Sequence, residues 1–422
     1  RYGLTENLTA DFTYRTDFAQ VEVDEQQVNL TRFSLFFPEK REFFLENSGV
    51  FAFGARGQFE PPPFLAFFSR SIGINADSGE VPLLGGGRLT GRAGSETCGF
   101  LSAMTASRYG DPRTSFNVAR VKRDLWRAGY VGAILVDRRN SETANTVGGV
   151  DFSLWPLQKL NVQGFGARTS TKGSGGDDLV WRLGADYQST NMSASLSHIE
   201  VGPEVEASAG FVTRTDVRRT QGNARYVFRP HVLNLRRIGV STFNDYVADL
   251  HGNRLDWSVS GGASPTWNTA DNIATFYSVG RNRVTEEFSL ADTVLVPVGD
   301  YPTSSLSIFG SSGAGRSVVL NLNADFRHQF GGTVNSLTAG ATANAGTHLG
   351  FKVGYTRSDA SLPNGAFVAH LVSLRTTYAI TTRAALNSLV QYNSLDRRVS
   401  ANARLGYTFR PGSDIFFVLN EE

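Results

Sequence analysis

The chain has 422 residues, with 41 basic against 39 acidic side chains, 44 glycines and one cysteine, Cys98. The near-neutral balance gives no field for a nucleic-acid partner, and one cysteine excludes an internal disulfide or a cysteine-built metal site. No run approaches the roughly 18 apolar residues of a transmembrane helix; the longest, Phe64 to Phe68 and Val131 to Val136, are far shorter.

A mean hydropathy of −0.20 resembles that of a soluble protein. It fits a lipid-facing barrel equally, because only alternate residues of a barrel strand meet lipid. The chain opens at Arg1, without a methionine or a signal-like segment, and reads as a fragment or processed chain.

In chain order, the first element runs from Leu8 to Arg15. Leu8, Ala10, Phe12 and Tyr14 alternate there with Thr9, Asp11, Thr13 and Arg15. Period two places these sets on opposite faces of a strand. Residues 17–75 break the pattern: charges and phenylalanines mix without alternation, and Pro61-Pro62-Pro63 interrupts any strand. Such a stretch cannot face lipid. It is expected inside the lumen or across the rim, with Glu39, Lys40, Arg41, Glu42 and Glu46 as a constriction. The alternative is a periplasmic or surface loop packed by its own aromatics. The glycine run Leu84-Gly85-Gly86-Gly87 lacks the Lys-Ser/Thr of a phosphate loop and reads as a strand entry or turn.

Alternation resumes with Leu179, Trp181, Leu183, Ala185 and Tyr187 against Arg182 and Asp186, and then with Met192, Ala194 and Leu196 after a short polar turn. It continues at Leu255 to Ser260. Further on, Leu320, Leu322 and Phe326 oppose Asp325 and Arg327; Phe351 and Val353 oppose Lys352; and Ala403, Leu405 and Tyr407 oppose Arg404. Weaker matches fall near 98–106, 128–137, 150–154, 160–166, 224–229, 273–279, 384–393 and 415–419. Many runs have the length of a tilted bilayer-crossing strand, the polar faces carry charges at mid-strand, and aromatics gather near stripe ends. The expected fold is all-β: one transmembrane, antiparallel, up-and-down barrel domain over 1–422, of about 16–18 strands. Arg15, Asp11, Arg182, Asp186, Asp325, Arg327, Lys352 and Arg404 would line its lumen. Long connections are expected at 168–178, 199–222, 244–254, 281–304 and 356–366, with tight turns at 155–158 and 410–413.

Several segments also resemble a known family. Asp17-Phe18-Ala19-Gln20-Val21-Glu22, Asn29-Leu30-Thr31-Arg32-Phe33, Phe36-Phe37-Pro38-Glu39-Lys40-Arg41 and Phe43-Phe44-Leu45-Glu46 carry the likeness. Phe68 to Gly73, Leu389 to Asn393 and Arg410 to Asp414 add to it. They look like an uncharacterised bacterial outer-membrane β-barrel family that usually follows a family-9-like carbohydrate-binding module. The resemblance implies an outer-membrane location and an upstream module, and it brings no catalytic residue. Members usually run on into a last strand ending on an aromatic, whereas this chain stops at Glu421-Glu422.

No catalytic, cofactor or metal constellation is legible. The six histidines are scattered, and none forms a hydrolase or zinc motif. Lys172 to Asp178 could invite Ca²⁺ but reads as a solvated loop. Asp24, Glu25, Glu39 and Glu46 could form a cation site, although Lys40 and Arg41 beside them favour ion pairing. The expected function is a channel or transport barrel, with glycans or oligosaccharides as possible solutes. The alternative is a structural barrel that anchors a domain or docks on an envelope protein complex; an outer-membrane hydrolase ranks third. The expected surroundings are the lipid bilayer and lipopolysaccharide, with no cofactor.

Overall fold

The computed structural model describes the chain except residues 1, 16–22, 55–61, 76–78, 109, 174–176, 231, 411–412 and 422. Its main element is one antiparallel sheet of 22 strands. The first eight are β1 (Tyr2–Thr5), β2 (Leu8–Tyr14), β3 (Leu83–Ala93), β4 (Glu96–Thr105), β5 (Thr114–Asp124), β6 (Tyr130–Arg139), β7 (Ala144–Leu157) and β8 (Leu160–Lys172). The next seven are β9 (Asp178–Gln188), β10 (Met192–Val201), β11 (Val217–Phe228), β12 (Leu235–Ala248), β13 (Arg254–Trp267), β14 (Asn272–Val284) and β15 (Gly299–Ser311). The last seven are β16 (Val318–Gln329), β17 (Gly332–Ala345), β18 (Leu349–Leu362), β19 (Gly365–Ala379), β20 (Ala384–Asn393), β21 (Arg398–Arg410) and β22 (Ser413–Glu421).

Each strand pairs with its neighbour in sequence, an up-and-down meander from β1 to β22. Among the described residues β1 and β22 share no ladder. The count exceeds the expected sixteen to eighteen. Two causes are visible. Glycines hide the alternation of β3, and the small polar residues that suggested a loop over 356–366 instead pair as the ends of β18 and β19. The tight turn expected at 155–158 is displaced as well, because β7 continues through Pro156 to Leu157, past a register irregularity.

The two faces of the sheet differ as period two requires. Leu183, Leu320 and Val353 are half exposed, at 50%, 56% and 46%. They belong to an outward apolar surface that includes Phe12, Leu135, Leu196, Tyr277 and Phe417. Water would penalise so much exposed apolar area, and a bilayer removes that penalty. No helix among the described residues is long and apolar enough to cross a membrane; the strands carry the apolar surface instead.

The inner face is occupied. Described residues 23–54 and 62–75 touch wall strands around the sheet, from Phe43 against Gly86 on β3 to Gln26 against Gln391 on β20. Among its described residues this segment holds one turn of α-helix, α1 (Glu42–Leu45), short 3-10 turns at Ser48–Phe51 and Ser69–Ser71, and two-residue strands at Phe64–Leu65 and Ile74–Asn75. Its phenylalanines Phe44, Phe51, Phe53 and Phe64 form a buried core with inward Leu101, Phe116, Val118, Val136, Val147, Phe165 and Val180. The connection 202–216 joins that core through Val205, Ala207 and Ala209, and Phe211–Val212 pairs with Phe64–Leu65. A hairpin of Phe288–Leu290 and Val294–Val296 covers a second cluster with Phe330, Val334 and Phe367, against which Val28 and Leu30 pack.

Candidate functional site

The candidate site is the lumen, where the inserted segment meets the wall. Glycines on the wall accept its aromatic side chains. A Cβ on Gly86 would come within 3.4 Å of Phe43, one on Gly99 within 2.9 Å of Phe51, and one on Gly149 within 2.6 Å of Phe53. These contacts explain why phenylalanine and glycine are both abundant here: a small residue on one surface leaves room for a ring from the other.

Ion pairs fasten the two surfaces. Asp11 on β2 takes a 2.6 Å hydrogen bond from Arg88 on β3, and Arg88 also donates to the Phe43 and Glu46 carbonyls near the end of α1. The Glu46 carboxylate lies 3.4 Å from the same guanidinium. Arg120 and Asp151, both with fully buried side chains, pair at 2.7 Å. Asp151 accepts further bonds from the Gly54 N–H and the Tyr130 hydroxyl. Near the other rim Asp256 holds Arg32 at 2.7 Å and Arg214 at 2.8 Å, joining the segment to the 202–216 connection. Burial lowers the Arg32 pKa, and the adjoining Asp256 offsets part of that shift.

Within the segment, buried Arg41 grips Glu39 through two nitrogens and donates to the Ile72 and Ser69 carbonyls, with its guanidinium 4.3 Å from the Phe44 ring centroid. Burial pushes the Glu39 carboxyl up, but hydrogen bonds and charge attraction from Arg41 outweigh it, so its pKa lies below the usual value. Lys40 and Arg70 both pair with Asp24. Glu42 is exposed on α1. Thus Glu39 and Arg41 pair with each other, Lys40 with Asp24 and Glu46 with Arg88, and the four acidic residues weighed as a cation site are divided among different basic partners. Among the described residues no group of three or more potential metal-ligating side chains comes together.

The expected lumen positions are distributed differently. Arg182 and Asp186 share the face of Phe165, since Arg182 stands opposite Phe165 in the ladder, and Asp186 accepts a hydrogen bond from Gln163. Arg327 pairs with Asp325 and stands opposite inward Val334. Lys352 reaches Glu25 at 3.3 Å, beside Arg375 at 3.1 Å. Arg404 lies 3.8 Å from the centroid of Phe416. Arg15 is exposed just after β2 and rests on Tyr14. Of the resemblance segments, Asp17 to Glu22 lies outside the described residues, as do part of the 172–178 loop and Pro411-Gly412 of the expected turn.

Sequence reasoning missed Arg88, Arg120, Asp151, Asp256 and Gln391. A signal for two of them existed. Arg120 follows Phe116 and Val118 at period two, and Asp151 follows Val147 and Gly149, so each charge continues an apolar inward face. A charge there needs a partner.

Between β16 and β20 the lumen is not filled. A cavity of about 400 Å³ is lined by Asn321, Asn323, Thr338, Lys352, Ser373 and Gln391, with Glu25 and Gln26 of the segment on its border. On the outer wall, His198 lies 2.8 Å from the Thr220 hydroxyl and 3.5 Å from Glu200, with Trp181 donating to Glu200. It shares its face with exposed Leu183 and Leu196, away from the lumen.

An apolar exterior and a continuous antiparallel meander define a β-barrel of the outer-membrane type, with described parts of residues 23–75 packed against its inner face. Residues 1–107 match the family described as "Domain of unknown function (DUF5916)". A comparison with curated proteins finds no match. Among solved structures, the chain resembles a BenF-like porin from Pseudomonas fluorescens Pf-5 at 9% identity and TM-score 0.39, covering 85% of this chain and 96% of that one. It resembles a bacterial polysaccharide outer membrane secretin at 12% identity and TM-score 0.37, over 66% of this chain and 96% of that one. OccAB3 of Acinetobacter baumannii gives 10% identity and TM-score 0.33, over 85% and 96%. These likenesses are too distant to carry a function.

Proposed function

We propose that this protein is an outer-membrane barrel that serves as a channel or transport component for small polar solutes. Residues 17–75 act as its constriction, and the wall from β16 to β20 lines its passage. The observation that carries the reading is the cavity of about 400 Å³, to whose mixed lining Asn321, Asn323, Thr338, Thr356, Ser373 and Gln391 bring amide and hydroxyl groups. Such a lining exchanges hydrogen bonds with neutral hydroxylated solutes as readily as water does, so glycans or oligosaccharides fit it. An upstream carbohydrate-binding module, as the family resemblance implies, would deliver such solutes. The surroundings are the bilayer and its lipopolysaccharide, and the reading assigns no residue to catalysis.

A second reading, a structural barrel that anchors a domain or docks on an envelope complex, draws on the buried Arg120–Asp151 and Arg41–Glu39 pairs. Fastenings of this kind suit a permanent plug. Planar-bilayer recording of the purified barrel separates the two, with heat-modifiable migration as the check on folding. The channel reading expects discrete conductance steps, lowered by Thr338→Trp in the cavity and raised by deletion of residues 24–60. A folded barrel without conductance, before and after that deletion, would leave the structural reading standing.

A further inference from the structure

Three phenylalanines of the inner wall belong to neither buried core. Phe243 on β12, Phe276 on β14 and Phe309 on β15 stand edge to face, with ring centroids 5.7 and 6.4 Å apart. The register fixes their face. Asp256, which binds Arg32 of the internal segment, shares an inward face with Ser260 and Gly262, and these stand opposite Phe243 and Phe276. Phe309 stands opposite Ala274, two residues from Phe276 on that same face, and opposite cavity-lining Asn323 on its other side. A Cβ on Gly262 would come within 2.3 Å of Phe276, so the strand between the first two rings is cleared for the second.

The rings form a diagonal. Phe276 is two residues further along the ladder than the level of Phe243, and Phe309 two residues further again, towards the end of the short 312–317 connection. Phe309 is 42% exposed although it faces inward. Hydrogen-bonding groups border it: Asn272 donates to Ser311 at 2.7 Å, Ser307 donates to Asp325 at 3.0 Å, and Asn323 lies opposite. An aromatic left open beside a polar wall is unfavourable in water alone. It becomes useful for a ligand with an apolar face and a hydroxylated rim, and a pyranose ring has both.

We infer that the Phe243–Phe276–Phe309 diagonal is a binding track for neutral oligosaccharides, in which sugar rings lie on the phenylalanines while their hydroxyls bond to the Asn323 side of the lumen. The inference deepens the channel reading and rests on it for the direction of traffic, but binding itself can be measured without conduction. The first measurement uses Phe276→Trp protein in detergent, titrated with maltohexaose and, as a control without rings, sorbitol. A saturable change in tryptophan emission with maltohexaose alone is expected; no change with either, in a protein that keeps its heat-modifiable migration, overturns the track. The second uses maltohexaose block of single-channel current. Joint replacement of Phe243, Phe276 and Phe309 by leucine, which keeps apolar volume, should raise the half-blocking concentration about tenfold or more. Block that is equal in the triple variant overturns the track. Emission changes without any conductance would keep the track and remove the channel reading.

Discussion

The two sides of this lumen are built from strands of similar length and opposite chemistry. From β3 to β11 the inner face carries Leu101, Phe116, Val118, Val147 and Val180, and it closes on the internal segment as a protein core. From β16 to β20 the inner face carries Asn321, Asn323, Thr338, Lys352 and Gln391 around a cavity, and apolar packing gathers in the cluster of Val334, Ala360, Phe367 and Ala369 under the 288–296 hairpin. The lesson is that a lumen need not be uniformly wet. Where the wall is apolar inside and outside, a segment must cover it, and ions that cross the contact must be paired.

The largest expected effect lies in the filled half. Asp151→Ala leaves buried Arg120 without its counter-charge and the Gly54 N–H without its acceptor. A loss of about 3–5 kcal/mol is expected, read as a lower midpoint of denaturant unfolding followed by heat-modifiable migration. A loss below 1 kcal/mol would show that the pair does not fasten the plug.

A matched glycine pair sharpens the contrast. Gly149→Ala would drive a Cβ against Phe53, Ala167 and the Gly166 carbonyl, all within 3.0 Å. A cost of about 1–3 kcal/mol follows from overpacking. Gly340→Ala on the cavity wall meets nothing nearer than 3.6 Å, and a change within about 0.5 kcal/mol is expected. Equal costs would mean that the two halves are packed alike.

Acid should loosen the filled half through Glu39. Its folded-state pKa is depressed by Arg41, so its stabilising share is complete above the unfolded value of about 4.3 and is lost as pH falls through the lower folded value. Pepsin cleavage within 62–75 should rise more steeply on acidification in the wild type than in Glu39→Gln. Identical profiles would mean that the Glu39–Arg41 pair does not hold the segment in place.

A charge change in the open half should also cost little stability. Lys352→Ala breaks a half-exposed pair with Glu25, a change of at most about 1 kcal/mol. It should nonetheless shift reversal potential in a salt gradient towards cations, because it removes a positive charge from the cavity wall. An unchanged potential would mean that ions do not pass Lys352.

Much of the wall was legible because period two is a local property. The alternation of Leu183 with Arg182 and of Leu405 with Arg404 needs only a pleated strand and one apolar solvent. The cavity strands follow the same rule, which puts Asp325 and Lys352 on the face opposite Leu320 and Val353. The filled half resisted because its strands are apolar on both faces: in Val131 to Val136, Leu135 is exposed outside while Ile134 and Val136 are buried inside. The partner that makes those inward residues sensible lies far away in the chain. Arg88 and Arg120 were missed because what holds them, Glu46 of the segment and Asp151 two strands away, is distant in sequence; Asp256 was legible as a polar-face residue, but its partners Arg32 and Arg214 were not.

By itself the sequence determined that alternate faces would separate lipid from interior and that residues 17–75 could not be a lipid-facing strand. Only the tertiary structure decided which phenylalanine meets which glycine, which arginine holds which carboxylate, and which stretch of wall is left open beside the Phe243–Phe276–Phe309 diagonal. The physical reason is that alternation is set by the backbone within a few residues. Filling a lumen depends on volume and charge matched between segments that come together only once the sheet has curled around them.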